Sequence, residues 1–226
     1  SKSRRYLILF NGEIYNHLKL RNLINKKINI KWKSNSDTET LINYIENFEI
    51  NEVLNNLSGM FAFSVYDFKE DKLTLARDIA GEKPLYISFN NEYLVYTSDL
   101  STINNLNFCE KNINNISVQN YLKYNYIPSP DTIYKNTFKL ESSSLLEIDF
   151  KKFKLKKIEN YSNLNNEIGI RKYKWWALKK NQLNIDRNEI NSEIEKKIEI
   201  ATKEQLISDV PIGVFLSGGV DSSLVL

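Results

Sequence analysis

A short segment near the C-terminal end of the chain has the composition of an anion-binding loop: Ser217, Gly218, Gly219, Val220, Asp221, Ser222 and Ser223. Two adjacent glycines allow a tight turn that brings backbone N–H groups close to an anion. The serine hydroxyls add hydrogen-bond donors, and a helix that begins after the loop adds the positive end of its dipole. The apolar run before the loop, residues 210–216, predicts a buried strand. This strand–loop–helix order is typical of a phosphate-binding site.

The loop is not a Walker A motif, because no lysine follows the glycines. It resembles the S-G-G-x-D-S-S pyrophosphate-binding loop of the ATP-pyrophosphatase group, whose members cleave ATP between the α and β phosphates to adenylate a substrate. A tight turn that uses Gly and Ser only for geometry is the alternative. The strand, both glycines and the Asp-Ser-Ser run occur in order, which favours the phosphate-binding interpretation.

A second group of candidate residues lies near the start of the chain. Asn11 and Gly12 follow a short apolar run, so an amide side chain and an unhindered backbone N–H lie side by side and could donate to a developing oxyanion. Glu13 and Asp37 could hold an α-ammonium group through charge-assisted hydrogen bonds. An ordinary Asn-Gly turn and a first-turn acid favoured by a helix dipole are the alternatives for Asn11-Gly12 and Asp37.

The elements that must position these residues follow from hydrophobic spacing. Residues 6–10 predict a strand that ends in a turn at Asn11-Gly12, and apolar residues from His17 to Ile24 predict a helix. The S-x-x-E pattern at residues 36–39 predicts a helix start. Strands are expected at residues 60–66, 72–77, 85–89, 93–97 and 145–148, with helices at 117–124 and from 189 to 205.

Composition limits the range of functions. The chain has 226 residues and 31 basic against 28 acidic side chains, a formal charge of +3, so no general attraction to nucleic acid or to a membrane is indicated. A lysine-rich run at 151–157 alternates with apolar residues and is interpreted as a solvated strand face. Cys109 is the single cysteine, which is typical of a reducing, cytoplasmic location. With one histidine, a structural zinc site is not expected, and no apolar run approaches the roughly 20 residues of a membrane span.

Six motifs occur in the order found in glutamine-hydrolysing asparagine synthetases, which the chain resembles over nearly its whole length. They are residues 11–17 (NGEIYNH), 36–40 (SDTET), 57–63 (LSGMFAF), 76–78 (ARD), 81–86 (GEKPLY) and 217–223 (SGGVDSS). The resemblance implies an α+β fold. It consists of an incomplete N-terminal-nucleophile αββα sandwich, the class II glutamine amidotransferase domain, followed by the start of an α/β ATP-pyrophosphatase domain. We place the first domain at 1–150, a linker at 151–184 and the start of the second domain at 185–226.

The resemblance also implies roles for single residues. Asn11 and Gly12 correspond to the oxyanion hole, and with Glu13 and Asp37 they correspond to the glutamine-binding site. Leu216 corresponds to a backbone contact with adenosine, and the pyrophosphate-binding residues are Ser217, Gly218, Gly219, Asp221 and Ser222. The implied ligands are glutamine, aspartate and ATP with Mg²⁺. A homodimer of the full-length protein is left open.

Two departures from the family pattern affect these expectations. The family's nucleophile is an N-terminal cysteine whose own α-amine acts as the base, and only ten residues precede Asn11 here. Cys109 cannot replace it, because a residue within the chain has no free α-amine. The family's glutamine-binding arginine is likewise not matched, and the Arg77-Asp78 pair is interpreted as structural. Elsewhere, residues 140–143 (LESS) and 98–101 (SDLS) replace the usual Leu-Pro-Pro-Gly and Ser-Glu-Ile-Lys.

These departures leave other functions open. One is an enzyme on the same scaffold that amidates another carboxylate, or a β-lactam synthetase-like enzyme without a working glutaminase. A second is a non-catalytic, degenerate homologue that is kept as a binding partner.

The 226-residue polypeptide is expected to have no glutaminase activity, because its single cysteine cannot act as an N-terminal nucleophile. It is also expected to have no synthetase activity, because the residues that complete the family's ATP and aspartate sites are not matched, whereas the parent protein is expected to have both activities. An ammonia-release assay with glutamine tests the first half of this expectation. Ammonia release above that of buffer would contradict it.

Overall fold

The computed structural model describes residues 1–179, 186–208 and 210–226, and the chain divides into two compact units. Unit 1 comprises Ser1–Ala177 and unit 2 comprises Leu178–Leu226.

Unit 1 combines antiparallel strands with helices. Its strands are β1 (Tyr6–Ile14), β2 (Gly59–Asp67), β3 (Lys72–Arg77), β4 (Tyr86–Phe89), β5 (Leu94–Thr97), β6 (Thr137–Lys139), β7 (Ser144–Asp149) and β8 (Ile170–Lys174). Its helices are α1 (His17–Lys27), α2 (Asp37–Asn47), α3 (Ile50–Asn56), α4 (Leu100–Asn105) and α5 (Asn115–Tyr124), with a 3-10 helix at Tyr161–Asn166. The described part of unit 2 contains α6 (Arg187–Glu204) and α7 (Val220–Val225).

The strands of unit 1 form two antiparallel sheets. One has the order β1-β2-β3-β7-β8 and the other has the order β5-β4-β6. Side chains such as Leu75 and Leu146 from the first sheet and Ile87 from the second form a common core between the two sheets. The opposite face of the first sheet packs against α1, α2 and α3 in a second core. Unit 1 is therefore layered as helices, sheet and sheet.

The period-two pattern of β2 explains why its sheet is buried on both faces. Phe61, Phe63 and Val65 belong to the core beneath the helices, whereas Ala62 belongs to the core between the sheets. Every second residue of an apolar strand thus serves one of two hydrophobic layers.

The predicted turn at Asn11-Gly12 is wrong, because β1 continues to Ile14. Gly12 lies opposite Phe61 and Ile14 lies opposite Gly59 in the β1–β2 ladder. Gly12 has φ +150°, and a Cβ there would lie 2.1 Å from the carbonyl oxygen of Met60. Gly59 has φ +156°, with the Glu13 carbonyl oxygen at the same 2.1 Å. Glycine at both positions allows the two backbones to approach closely where an Asn-Gly pair would otherwise favour a turn.

The helix start predicted from the S-x-x-E pattern is confirmed, with a different hydrogen-bond pattern. Ser36 caps α2 by accepting a hydrogen bond from the Thr38 N–H at 3.1 Å. Glu39 accepts instead from the N–H groups of Lys33 and Ser34, at 2.8 and 2.7 Å. The glutamate therefore orders the segment before the helix and does not complete a capping box.

The interval 151–184, predicted as a linker, is largely part of unit 1, which extends to Ala177. The strand β8 pairs with β7, and Phe153, Tyr161 and Leu164 are buried in the core between the sheets. This segment is polar in composition, but its few apolar side chains cover one end of that core. The last part of the interval, residues 180–185, lies outside the described residues.

The lysine-rich run at 151–157 is not a strand in the structure. Four of its lysines, Lys151, Lys152, Lys156 and Lys157, form ion pairs with Glu70, Asp149, Glu167 and Glu110, respectively. Phe153 points into the core. The run is a solvated surface segment, as its alternation predicts, although its backbone is irregular.

The buried strand predicted at 210–216 is not formed. Residues 210–216 are exposed and have no strand conformation, and Phe215 is 99% exposed. A strand needs neighbours for its N–H and C=O groups, and the described residues of unit 2 contain only α6 and α7.

Among the residues that the structure describes, no helix has the length and apolar character to cross a bilayer.

Replacing Gly12 with Ala is expected to destabilise unit 1 by about 3 kcal/mol or more, because the new Cβ would collide with the backbone of β2. Urea unfolding followed by tryptophan fluorescence measures this change, since Trp32, Trp175 and Trp176 all lie in unit 1. Gly213→Ala is the control, because nothing lies within 4 Å of its Cβ position. Equal unfolding midpoints for the two variants would contradict the close-approach argument.

Candidate functional site

Asn11 and Glu13 lie on the same face of β1, since residues two apart in a strand share a face. Phe10 and Ile14 face the opposite way and pack beneath the helices. Asn11 lies opposite Ala62 in the ladder. The regular continuation of β1 through Gly12 therefore presents an amide and a carboxylate side by side on one face.

Asn11 lines a cavity of about 270 Å³ within unit 1. Its walls come from both sheets and include Leu9, Ser64, Leu85, Tyr96, Thr97 and Ser98. Small side chains on β2 opposite β1, Ala62 and Ser64, leave this space open. The cavity is large enough for part of an amino-acid-sized ligand, and its hydroxyl-bearing walls were not identified from the sequence.

Asp37 is held at the end of β1, although it belongs to α2. Its Oδ2 accepts a hydrogen bond from the Ile14 N–H at 3.0 Å, and its Oδ1 accepts one from the Thr38 hydroxyl at 3.3 Å. The residue is therefore a first-turn acid that also joins the helix to the strand. The structure brings Asp37 next to the Glu13–Ile14 peptide, which is 23 residues away from it in the sequence.

Arg21 fixes the backbone that leads into α2. Its guanidinium donates to the hydroxyl of Thr40 at 2.7 Å and to the carbonyl oxygens of Ser34 and Ser36 at 2.7 and 2.8 Å. The side chain is buried. A buried cation with three specific acceptors sets the position of the N-terminal turn of α2 and thereby the position of Asp37.

Sequence reasoning did not assign His17 to the site, although the charges of Glu13 and Asp37 act on its imidazole. The charges of Asp37 and Glu13 raise the pKa of its imidazole, while that of Arg21 lowers it. Burial is the largest effect, so that the pKa is lowered overall and the ring is neutral near pH 7. Its Nδ1 atom is buried and has no hydrogen-bond partner.

Arg77 and Asp78 form a structural network, as expected. The Arg77 guanidinium donates to the carbonyl oxygens of Lys83, Leu140 and Gly81. The carboxylate of Asp78 accepts from the N–H groups of Phe61, Glu82 and Lys83 at 3.2, 2.9 and 3.0 Å. These bonds tie the loop after β3 to the sheet.

Cys109 is buried, and burial raises the pKa of its thiol, which disfavours the nucleophilic thiolate.

In unit 2, the candidate phosphate loop turns at Gly218, which has φ +78°, and α7 begins at Val220. The hydroxyls of Ser217 and Ser222 lie 3.1 Å apart, and those of Ser222 and Ser223 donate to the Gly219 carbonyl. Leu216 and Asp221 are exposed. The loop-to-helix geometry predicted from the sequence is thus present without the preceding strand.

Among the described residues, no three His, Cys, Asp or Glu side chains are grouped so as to hold a metal ion.

Two family models match the chain. The glutamine amidotransferase domain matches residues 1–161, and asparagine synthase matches residues 193–226.

Curated relatives carry related names. A putative asparagine synthetase [glutamine-hydrolyzing] 2 of Methanocaldococcus jannaschii is 34% identical over 97% of this chain and 39% of the relative. Asparagine synthetase [glutamine-hydrolyzing] 1 of Bacillus subtilis is 29% identical over 98% of this chain and 32% of the relative. A probable asparagine synthetase [glutamine-hydrolyzing] of Schizosaccharomyces pombe is 30% identical over 100% of this chain and 32% of the relative. The chain spans only about a third of the length of these relatives.

Two solved structures are similar to part of this chain at low sequence identity. A structure of the allosteric regulatory enzyme of purine biosynthesis has a TM-score of 0.50 and 18% identity, over 76% of this chain and 29% of that one. Glutamine phosphoribosylpyrophosphate amidotransferase from B. subtilis has a TM-score of 0.47 and 17% identity, over 76% of this chain and 30% of that one. The first likeness and the layered sheets of unit 1 confirm the sandwich fold expected for the amidotransferase domain.

Replacing His17 with Gln is expected to remove a pH dependence of stability. The unfolded chain takes up a proton on His17 near its ordinary pKa of 6.5, and the folded chain takes it up only at lower pH. The free energy of unfolding should therefore fall as the pH drops below about 6.5, by at most about 1.4 kcal/mol per pH unit.

Urea midpoints of both proteins at pH 7.5 and 5.5 measure this effect. His17 is the single histidine, and the carboxyl groups with lowered pKa, such as Glu39 and Asp67, begin to titrate only below this range. A wild-type midpoint that is constant over this interval would disprove the expectation.

Proposed function

The chain belongs to the glutamine-hydrolysing asparagine synthetase family through its glutamine amidotransferase domain, and we propose that unit 1 forms the glutamine site of an amidotransferase. One observation carries the proposal. Asn11, Gly12 and Glu13 lie in order at the end of β1, and Asp37 is hydrogen-bonded to the next peptide. The end of β1 and the first residue of α2, which are joined by this hydrogen bond, therefore carry the two types of polar group that glutamine requires, amide donors and anionic acceptors.

The proposed roles follow from the chemistry of amide hydrolysis. Attack on the glutamine carboxamide produces an oxyanion, which the Asn11 side-chain amide and the Gly12 N–H would stabilise by donated hydrogen bonds. The carboxylates of Glu13 and Asp37 would accept hydrogen bonds from the α-ammonium group at the other end of the substrate. Glycine at position 12 leaves its N–H unshielded by a side chain.

The nucleophile proposed for this reaction is the N-terminal cysteine that the family resemblance implies. Its α-amine would take the thiol proton, the thiolate would attack the carboxamide carbon, and the amine would return a proton to the departing ammonia. Cys109 is not a candidate, because it is buried and lies within the chain.

The whole protein is proposed to use this ammonia to convert aspartate into asparagine. ATP with Mg²⁺ supplies the activation of the acceptor carboxylate. The family resemblance assigns the adenosine contact to the Leu216 backbone and the pyrophosphate to Ser217, Gly218, Gly219, Asp221 and Ser222. The loop is suited to phosphate, because hydroxyls surround it and nothing lies within 4 Å of the Cβ position of Gly218. The replaced segments at 98–101 (SDLS) and 140–143 (LESS) leave open a second proposal, an acceptor carboxylate other than aspartate.

Replacing Asn11 with Ala in the full-length protein is expected to lower kcat for glutamine hydrolysis by about 10²- to 10³-fold, the usual effect of losing one oxyanion donor. Asp37→Asn should instead raise KM for glutamine by about tenfold, because its amide oxygen can still accept from Ile14 but carries no charge.

Ammonia-dependent asparagine formation from aspartate and ATP is the internal control and should be unchanged in both variants. Asn47→Ala, the same substitution at an exposed position at the end of α2, is the matched control. Wild-type kcat in the Asn11 variant would refute the oxyanion assignment. If the protein forms an amide with another carboxylate and not with aspartate, the proposal that aspartate is the acceptor is wrong.

A further inference from the structure

Asn16 belongs to the motif at residues 11–17, and the proposed substrate contacts do not use it. It occupies the N-cap position of α1, where an asparagine side chain ordinarily accepts a hydrogen bond from the first turn of the helix. Here the side chain makes no such bond. Its amide is bound to a segment about 40 residues further along the chain, which indicates a tertiary role.

The Asn16 side chain and the neighbouring backbone tie the end of β1 to the segment that leads into β2. The Nδ2 atom of Asn16 donates to the Asn56 carbonyl oxygen at 2.8 Å, and its Oδ1 accepts from the Ser58 N–H at 3.0 Å. The Tyr15 N–H donates to the Ser58 carbonyl oxygen at 2.8 Å. We call these three hydrogen bonds the Asn16 clamp. They hold both backbone groups of Ser58 immediately before β2 begins.

The β1–β2 ladder fixes the direction in which the Gly12 N–H points. Its partner Phe61 uses both backbone groups on the side of β3, since its N–H donates to the Asp78 carboxylate at 3.2 Å and its carbonyl oxygen accepts from the Asp78 N–H at 2.8 Å. Gly12 and Phe61 are therefore a non-hydrogen-bonded pair, and the Gly12 N–H points away from β2. The Ile14 N–H points the same way and donates to Asp37. Since β1 is an outer strand of its sheet, the Gly12 N–H faces the edge of that sheet.

This orientation depends on keeping the last pairs of the ladder together. Glycine weakens a strand, because it has no side chain to pack and loses more conformational freedom on folding. The last three pairs of the ladder include Gly12 on one strand and Gly59 on the other. The Asn16 clamp closes the ladder directly beyond these pairs and therefore opposes their separation.

We infer that Asn16 is a positioning residue of the proposed oxyanion site, because its clamp keeps the Gly12 N–H directed at the edge where the oxyanion would form. This inference rests on the proposed function. Loss of the clamp should weaken stabilisation of the transition state. The ammonium-binding carboxylate should stay in place, because Asp37 keeps its hydrogen bond from Ile14 and Arg21 still holds the start of α2.

Amide hydrogen exchange of the 226-residue chain tests the clamp without any activity. Asn16→Ser keeps a side chain suited to an N-cap but cannot make both bonds of the amide. The N–H groups of Ser58, Glu13 and Met60 should exchange about tenfold faster, as expected when about one net hydrogen bond of local stability is lost. The N–H of Leu75, in the core between the sheets, should exchange at the wild-type rate.

Two further variants keep this test sharp. Asn56→Ser is the matched control, because the clamp uses only the backbone carbonyl of Asn56, whose side chain donates to Glu52 within α3. Asn16→Asp keeps the acceptor for the Ser58 N–H and loses the donor, so its exchange should be accelerated less than in Asn16→Ser. Unchanged exchange in both Asn16 variants, or equal acceleration in the control, would overturn the inference.

Glutaminase kinetics of the full-length protein test the effect on the reaction. Asn16→Ser should lower kcat about tenfold to a hundredfold, because a displacement of about 1 Å can cost about 10²-fold in rate. KM for glutamine should stay near the wild-type value, the sign of an interaction made only in the transition state. Ammonia-dependent asparagine formation should be unchanged, and Asn56→Ser should match the wild type in both activities.

Urea unfolding of each variant separates positioning from a merely structural role. An Asn16→Ser protein that is fully folded under assay conditions should still show the fall in kcat, which a loss of stability alone would not cause. Wild-type kcat in that folded variant, or a raised KM with kcat unchanged, would sink the inference even if the enzyme hydrolyses glutamine. Absence of glutaminase activity in the wild-type protein would instead refute the proposed function.

Discussion

The close approach of β1 and β2 at Gly12 and Gly59 is the constraint on which the candidate site depends. Each glycine places its Cα where a side chain would meet a carbonyl oxygen of the other strand at 2.1 Å. Only because both positions lack a Cβ can the ladder continue to Ile14. That continuation puts Asn11 and Glu13 on one face and leaves the N–H of Ile14 available to Asp37.

The second requirement is that a helix deliver a carboxylate to the end of that strand. Ser36 and Glu39 order the entry to α2, and the buried guanidinium of Arg21 holds the same segment from α1. Asp37 is thus positioned by the interactions of its neighbours as well as by the hydrogen bond that it accepts from Ile14.

The two candidate sites differ in how much of their surroundings the chain supplies. In unit 1, Asn11 lines a cavity whose walls come from two sheets, and the core on either side of the first sheet is closed by helices and by the segment through Ala177. In the described part of unit 2, the Gly218-Gly219 turn and the start of α7 are present while the apolar residues before them are exposed. Local turn chemistry forms the loop, whereas a strand requires partners.

The sequence by itself determined most elements of unit 1, since period-two and period-3.6 patterns depend only on which side chains must leave water. It also gave Asn11, Glu13 and Asp37 and the Gly-Ser loop as candidate site residues, because their chemical types suit an oxyanion, an ammonium group and a phosphate. Only the tertiary structure decided that Asn11-Gly12 is strand and not turn, since the deciding contact is with Met60, far along the chain. The same holds for the neighbourhood of His17 and for the inclusion of residues 151–177 in the first unit. Those outcomes depend on which distant backbones and charges meet, and no local pattern contains that information.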